Sequence, residues 1–121
     1  MNQKNVRRIA GIFSVLFVGC TTNVTTWDEF VPLYAQEKCL VYKQCYRAHY
    51  EGEYGNHAEC QEAVTKELQQ NQQDYTNCTF VSSSANECLE QIQSSSCGDY
   101  WEDEATIYQM CREDIWTCSS D

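Results

Sequence analysis

Apolar positions recur along this chain in two rhythms. From Ile9 to Val18 they are almost continuous, and from Trp27 onward they are spaced three and four apart. The second rhythm is that of helices with one buried face. Four helix starts are predicted where an N-cap residue is followed three places later by Glu: Thr26…Glu29, Asn56…Glu59, Ser84…Glu87 and Asp99…Glu102. In the first helix, Phe30, Tyr34, Val41 and Cys45 form one stripe, and Val31, Ala35, Cys39, Tyr42 and Tyr46 form the adjoining one. An apolar arc of half the circumference predicts contact from two sides. Pro32, early in this helix, is expected to kink it or delay its start. The second helix presents Cys60, Val64 and Leu68, and the third Cys88, Leu89 and Ile92. The fourth is read through to the end on Ile107, Cys111, Ile115 and Cys118, and 71–83 is read as a loop pinned by Cys78. One proline and five glycines punctuate the chain, too few for many short strands. The fold class is therefore all-α, a small disulfide-rich bundle of about four helices.

The first rhythm needs a different explanation. Lys4, Arg7 and Arg8 precede the apolar run, and Gly19-Cys20 ends it. Basic start, short apolar stretch and small residue are the order of an export signal. Ten apolar residues fall short of the roughly 20 that span a hydrocarbon core as a helix. The stretch Phe17-Val18-Gly19-Cys20 resembles the lipobox of bacterial lipoprotein signals, with Phe17 where Leu is usual. That resemblance implies cleavage after Gly19 and a diacylglyceryl group on the Cys20 sulfur, which would anchor the chain in a membrane. Thr21 in place of Asp implies sorting to the outer membrane. On this reading 1–19 is the signal, 20–26 a polar tether and 27–121 one domain. Seven extended tether residues reach at most about 25 Å.

Lipidation also resolves the cysteine count. Nine cysteines are an odd number for an exported chain. Without Cys20 there remain Cys39, Cys45, Cys60, Cys78, Cys88, Cys97, Cys111 and Cys118, which read as four disulfides in an oxidising compartment. Residues six apart on a helix are separated by about 9 Å along its axis. Bridged Cα atoms lie within about 7 Å. Cys39–Cys45 and Cys111–Cys118 are therefore excluded if those segments are helical. Cys45–Cys60 and Cys88–Cys111 flank the turns expected at 49–56 and 95–101 and are the two pairings expected. The whole pattern is similar to small cysteine-rich envelope lipoproteins of Gram-negative bacteria, a likeness that implies no activity.

Charge narrows the partners. Eight bases face eighteen acids, a net charge of −10. Loss of Lys4, Arg7 and Arg8 with the signal leaves five against eighteen, or −13. Such a surface repels nucleic acid and anionic headgroups, and leaves cations, basic proteins and neutral polymers as partners.

No motif carries catalysis. The serine runs 82–84 and 94–96 lack a G-x-S-x-G elbow, and with eighteen acids no glycosidase pair stands out. Asn23-Val-Thr and Asn77-Cys-Thr match glycosylation acceptors, incidental behind a bacterial signal. Metal ligation is disfavoured: Cys45/His49 and His57/Cys60 have ligand spacing, but no CxxC pair exists. Two binding candidates remain. Asp99-Tyr100-Trp101-Glu102-Asp103-Glu104 is dense enough in carboxylates for a hard cation, though acids also suit a helix start. Tyr42, Tyr46, Tyr50 and Tyr54, with Trp27 and Trp101, suit protein or carbohydrate recognition, though such stripes also fill cores. The expectation is a lipid-anchored envelope protein, binding or structural, with no enzyme activity, cofactor or metal. A secreted effector or toxin-like module is the alternative.

Overall fold

The structure is a computed structural model and describes residues 23–119. The signal, Cys20 and the start of the tether lie outside the described residues. Within them the order is α1 (Trp27–Cys45), α2 (Arg47–Glu53), α3 (His57–Gln73), β1 (Cys78–Phe80), α4 (Ser82–Ser94), α5 (Cys97–Glu102), α6 (Glu104–Arg112) and β2 (Trp116–Cys118). The protein is mostly helical and disulfide-rich. The described residues form six helices and a two-stranded antiparallel sheet in place of the expected bundle of about four helices.

α1 is the central rod. α3 lies on one side of it and α4 on the other, as the double stripe predicts, and α6 packs on α4. Its start follows the local signal. Thr26 Oγ1 accepts from the Glu29 N–H at 3.2 Å, while Glu29 Oε1 accepts from the Thr25 N–H at 2.8 Å. α3 repeats the device, with Asn56 Oδ1 capping Glu59 N and Glu59 Oε1 accepting from Gly55 N, both at 2.9 Å. The Glu59 oxygens stand 2.8–2.9 Å from where a Cβ on Gly55 would be, so a side chain there would displace the capping carboxylate. Pro32 does not delay α1, which starts at Trp27 and runs through it.

The other two starts move. α4 begins at Ser82 behind Val81, without a side-chain cap, because the Val81 N–H donates to Ile115 O at 2.7 Å and ends the strand pairing there. Ser96, not Asp99, caps α5: its Oγ accepts from the Asp99 N–H at 3.1 Å, which makes Asp99 a first-turn acid. The expected fourth helix is three elements. α6 stops at Arg112, where both Glu113 N and Asp114 N turn back to Gln109 O, and β2 follows. β2 pairs with β1 in the register Cys78↔Cys118, Thr79↔Thr117, Phe80↔Trp116, so part of the expected 71–83 loop is strand. The tether is also shorter than expected. Val24 is 1 % exposed, its N–H donates to Asn86 Oδ1 at 2.8 Å and its carbonyl accepts from Asn86 Nδ2 at 3.0 Å.

Four disulfides close the fold: Cys39–Cys60, Cys45–Cys97, Cys78–Cys118 and Cys88–Cys111. Cys88–Cys111 joins α4 to α6 as expected. The expected Cys45–Cys60 pair does not form. The 49–56 segment is largely occupied by α2, so the staple between α1 and α3 falls a turn and a half earlier, at Cys39. Cys45 lies on the other stripe of α1 and faces Ile92, Cys97 and Tyr100.

Candidate functional site

Between the two stripes of α1 sits a residue the apolar pattern passes over. Lys38 is part-buried, its Nζ donates to the Tyr100 hydroxyl at 2.5 Å, and it lies 5.2 Å from the ring centre of Tyr42 and 5.1 Å from that of Tyr100. Two π faces and one phenol replace much of the water an ammonium would keep. Burial is the main cause that holds the Lys38 pKa down, at about 8. Arg112 pushes the same way, while Glu104 and Glu67 oppose it.

Arg112 comes from the end of α6, on a row with Glu104 and Tyr108 at i, i+4 and i+8. It is 9 % exposed, stands over Tyr34 at 5.7 Å and Tyr108 at 5.3 Å, and reaches Glu67 of α3 at 3.4 Å. Among the described residues its Nε has no hydrogen-bond partner. The α6 row runs antiparallel to α1: Arg112 meets Tyr34, and at the other end the Tyr46 hydroxyl donates to Glu104 Oε2 at 2.7 Å. Lys38 and Tyr100 lie between these two contacts.

Outward of Lys38 the tyrosines form a connected strip. Ring centres are 6.4 Å apart for Trp101–Tyr46, 6.1 Å for Tyr46–Tyr42, 6.1 Å for Tyr42–Tyr54 and 5.9 Å for Tyr54–Tyr50. His49 fills the angle between Tyr42 and Tyr54, 5.0 Å from the first and 5.8 Å from the second. Trp101 is 55 % exposed, and the four tyrosines are half-buried. Burial raises the Tyr42 and Tyr54 hydroxyl pKa values, with Glu67 adding to both and Glu53 to the second. Tyr46 is pushed up to about 12, first by burial and then by Glu104. Beside Tyr54 lies a shallow cavity of about 480 Å³ lined by Glu53, Glu59, Glu62, Ala63 and Lys66.

The structure thus joins the expected tyrosines and Trp101, but removes Trp27 from the set. That ring packs against Phe30, Phe80 and Trp116 at the opposite end of α1. The acidic candidate is divided. Asp99 lies in the first turn of α5, Tyr100 is buried at 2 % exposure beneath Lys38, and Glu104 belongs to the tyrosine strip. Among the described residues, no three His, Cys, Asp or Glu side chains converge to hold a metal ion. Cys45 and Cys60 are bridged and cannot ligate with His49 or His57. Among the described residues no helix is long and apolar enough to cross a membrane. Sequence reasoning missed Lys38 and Arg112; the signal for Lys38 was its place at the centre of an apolar arc. No protein-family model, no curated protein and no solved structure matches the chain.

Proposed function

We propose that this protein is a lipid-anchored recognition module of the bacterial cell envelope, held through Cys20 at the outer membrane and without catalytic activity. The observation that supports it most is the sulfur balance. The eight cysteines from Cys39 onward bond to one another, so none is left to pair with Cys20 within the chain. Four bridges fit an oxidising compartment, and acylation disposes of the ninth thiol. Anchoring by two or three acyl chains meets the requirement for more than one membrane signal. With Val24 tied to Asn86, three residues separate Cys20 from the folded part, a reach of about 11 Å. The domain would then ride directly on the headgroups and present its tyrosine strip to a protein or carbohydrate partner.

Labelled palmitate fed to an expressing bacterium tests this reading. The expected outcome is label in the wild-type protein, recovery in the membrane pellet, and loss of both in Cys20→Ser. A soluble, unlabelled wild-type protein in the medium overturns it and favours a secreted effector.

A further inference from the structure

The tyrosine strip has a definite electrostatic character, and this deepens the recognition role proposed above by naming the partner's chemistry. The carboxylates around its rings are Glu104 at Tyr46, Glu67 near Tyr42 and Tyr54, and Glu53, Glu59 and Glu62 around the cavity beside Tyr54. The cations are committed elsewhere. Lys38 is drawn beneath the rings onto Tyr100, Arg112 is bound to Glu67, and on α2 Arg47 is bound to Glu51 at 3.2 Å. Lys66, at the cavity, and Lys43, exposed in the last turn of α1, are the exceptions. What faces outward is therefore mostly π faces and carboxylate oxygens.

The geometry points to this strip as the docking surface for a lysine- or arginine-rich segment of a partner protein. A guanidinium or ammonium is attracted both by the ring quadrupole and by the adjacent carboxylate. The protein already uses the pairing twice internally, with Lys38 over Tyr42 and Tyr100 and Arg112 over Tyr34 and Tyr108. Trp101, at the end of the strip, keeps more than half its surface open for a third. A neutral glycan fits less well, because it would hydrogen-bond to these carboxylates without supplying the opposite charge that a basic segment brings. A second copy fits less well again, since an acidic face would meet its own charge. Steering by a net charge of −10, or −13 once the signal is removed, speeds encounter with a basic segment and makes it salt-dependent.

The test uses the native, fully oxidised protein and a fluorescent peptide of alternating Arg and Lys, titrated by anisotropy at low and high salt. Chitohexaose is titrated in parallel. The expected result is peptide binding that weakens with salt, and about ten-fold weaker binding by Tyr54→Ala/Trp101→Ala. Glu53→Gln/Glu104→Gln should weaken it more than Glu90→Gln/Glu113→Gln, which removes the same charge from other faces. Near-UV circular dichroism and disulfide mass mapping establish that each variant folds. If the ring variant misfolds, the two charge pairs still decide. Equal losses from the two charge pairs, wild-type affinity in the folded ring variant, or titration by chitohexaose alone each overturn the inference. None of these outcomes bears on palmitate labelling, so this proposal and the lipoprotein reading fail separately.

Discussion

The two ends of α1 both carry aromatic clusters, and they behave oppositely. At its start, Trp27 and Phe30 meet Phe80 and Trp116, with Tyr75 stacked on Trp116 at 5.5 Å. Phe30 is fully buried, and the cluster is drawn together by the strand pair and Cys78–Cys118. Past its middle, Tyr42 and Tyr46 extend a cluster that is nearly all tyrosine and histidine, half-exposed, with a lysine beneath it and carboxylates beside it. Phe30, a ring without a polar atom, is buried completely and Trp27, Phe80 and Trp116 are partly buried around it, while a phenol settles where its hydroxyl finds water or a polar partner. One end is core, and the other is a surface with ring faces. The same residue class serves stability in one place and, on the proposed reading, recognition in the other.

The largest effect expected is on both ends together. Each of the four disulfides contributes about 2–4 kcal/mol, and their sum exceeds a typical net stability of roughly 5–15 kcal/mol at its middle value. Dithiothreitol should therefore unfold the domain at neutral pH, seen as loss of the near-UV signal of both clusters in one step. Retention of the tyrosine strip's signal after the tryptophan signal is lost would show that the ends fold independently. Within the oxidised protein, truncation separates them. Phe30→Ala removes a ring 5.5 Å from Tyr34 and 5.8 Å from Phe80 and should cost about 3–5 kcal/mol. Tyr46→Ala, which loses a half-exposed ring and one hydrogen bond to Glu104, should cost about 1 kcal/mol. Urea midpoints at constant slope measure both.

The two ends also differed in how far the sequence revealed them. The starts of α1 and α3 were legible because their caps are local, decided within four residues. The sheet was not. Its strands are three residues long, and their partners lie about forty positions apart, so only tertiary pairing defines them. Ile107, Cys111 and Ile115 keep a helical spacing, yet α6 ends at Arg112. Ile115 is buried by a turn, and Cys118 by contrast is exposed on β2. For the cysteines, flanking a turn was a weaker guide than helix face. Cys39 and Cys45 stand on different stripes of α1, and the structure bridges one to α3 and the other to α5. At the site, the tyrosines were legible by composition. Lys38 was not, because a charged residue among apolar ones reads as an interruption rather than a centre.

Lys38 gives the tyrosine end a pH signature that the other end lacks. Its pKa is about 8 in the fold against an ordinary 10.5, so the folded protein sheds this proton first. Below pH 8 both states hold the proton and stability is flat from this group. Between about 8 and 10.5 the unfolded chain binds more protons, and stability rises with pH. The rise is bounded at about 3 kcal/mol for a shift of this size and is reduced by the solvent the ammonium retains. Above pH 10 the sign reverses. Unfolded tyrosines ionise, while burial keeps Tyr42, Tyr100 and Tyr46 neutral, the last up to about 12. Unfolding free energy measured across pH 7–11 should therefore pass through a maximum on the alkaline side. Lys38→Met should abolish the rise and leave the fall. A rise that persists in Lys38→Met would remove the ammonium from its place beneath the rings. On the apolar side a smaller effect is expected at Val24, the first buried residue among those described. Asn86→Ala unties both backbone groups of Val24 and should cost about 1–3 kcal/mol, with faster amide exchange at 23–26.

The smallest expected effect is the most discriminating. Trp101 is a large ring on a short helix, 55 % exposed, touching Tyr46 edge to face at 6.4 Å. A tryptophan that served packing would be covered, as Trp27 and Trp116 largely are at the other end. Left open, it gives the fold little: Trp101→Ala should change stability by less than about 0.5 kcal/mol, the range of surface substitutions. Trp27→Ala, against three aromatic rings, should cost several times more. Should Trp101→Ala prove as destabilising as Trp27→Ala, the strip is a second core edge and its openness carries no recognition. If the two differ as expected, the fold holds Trp101 open without gaining stability from it, as the proposed docking role requires.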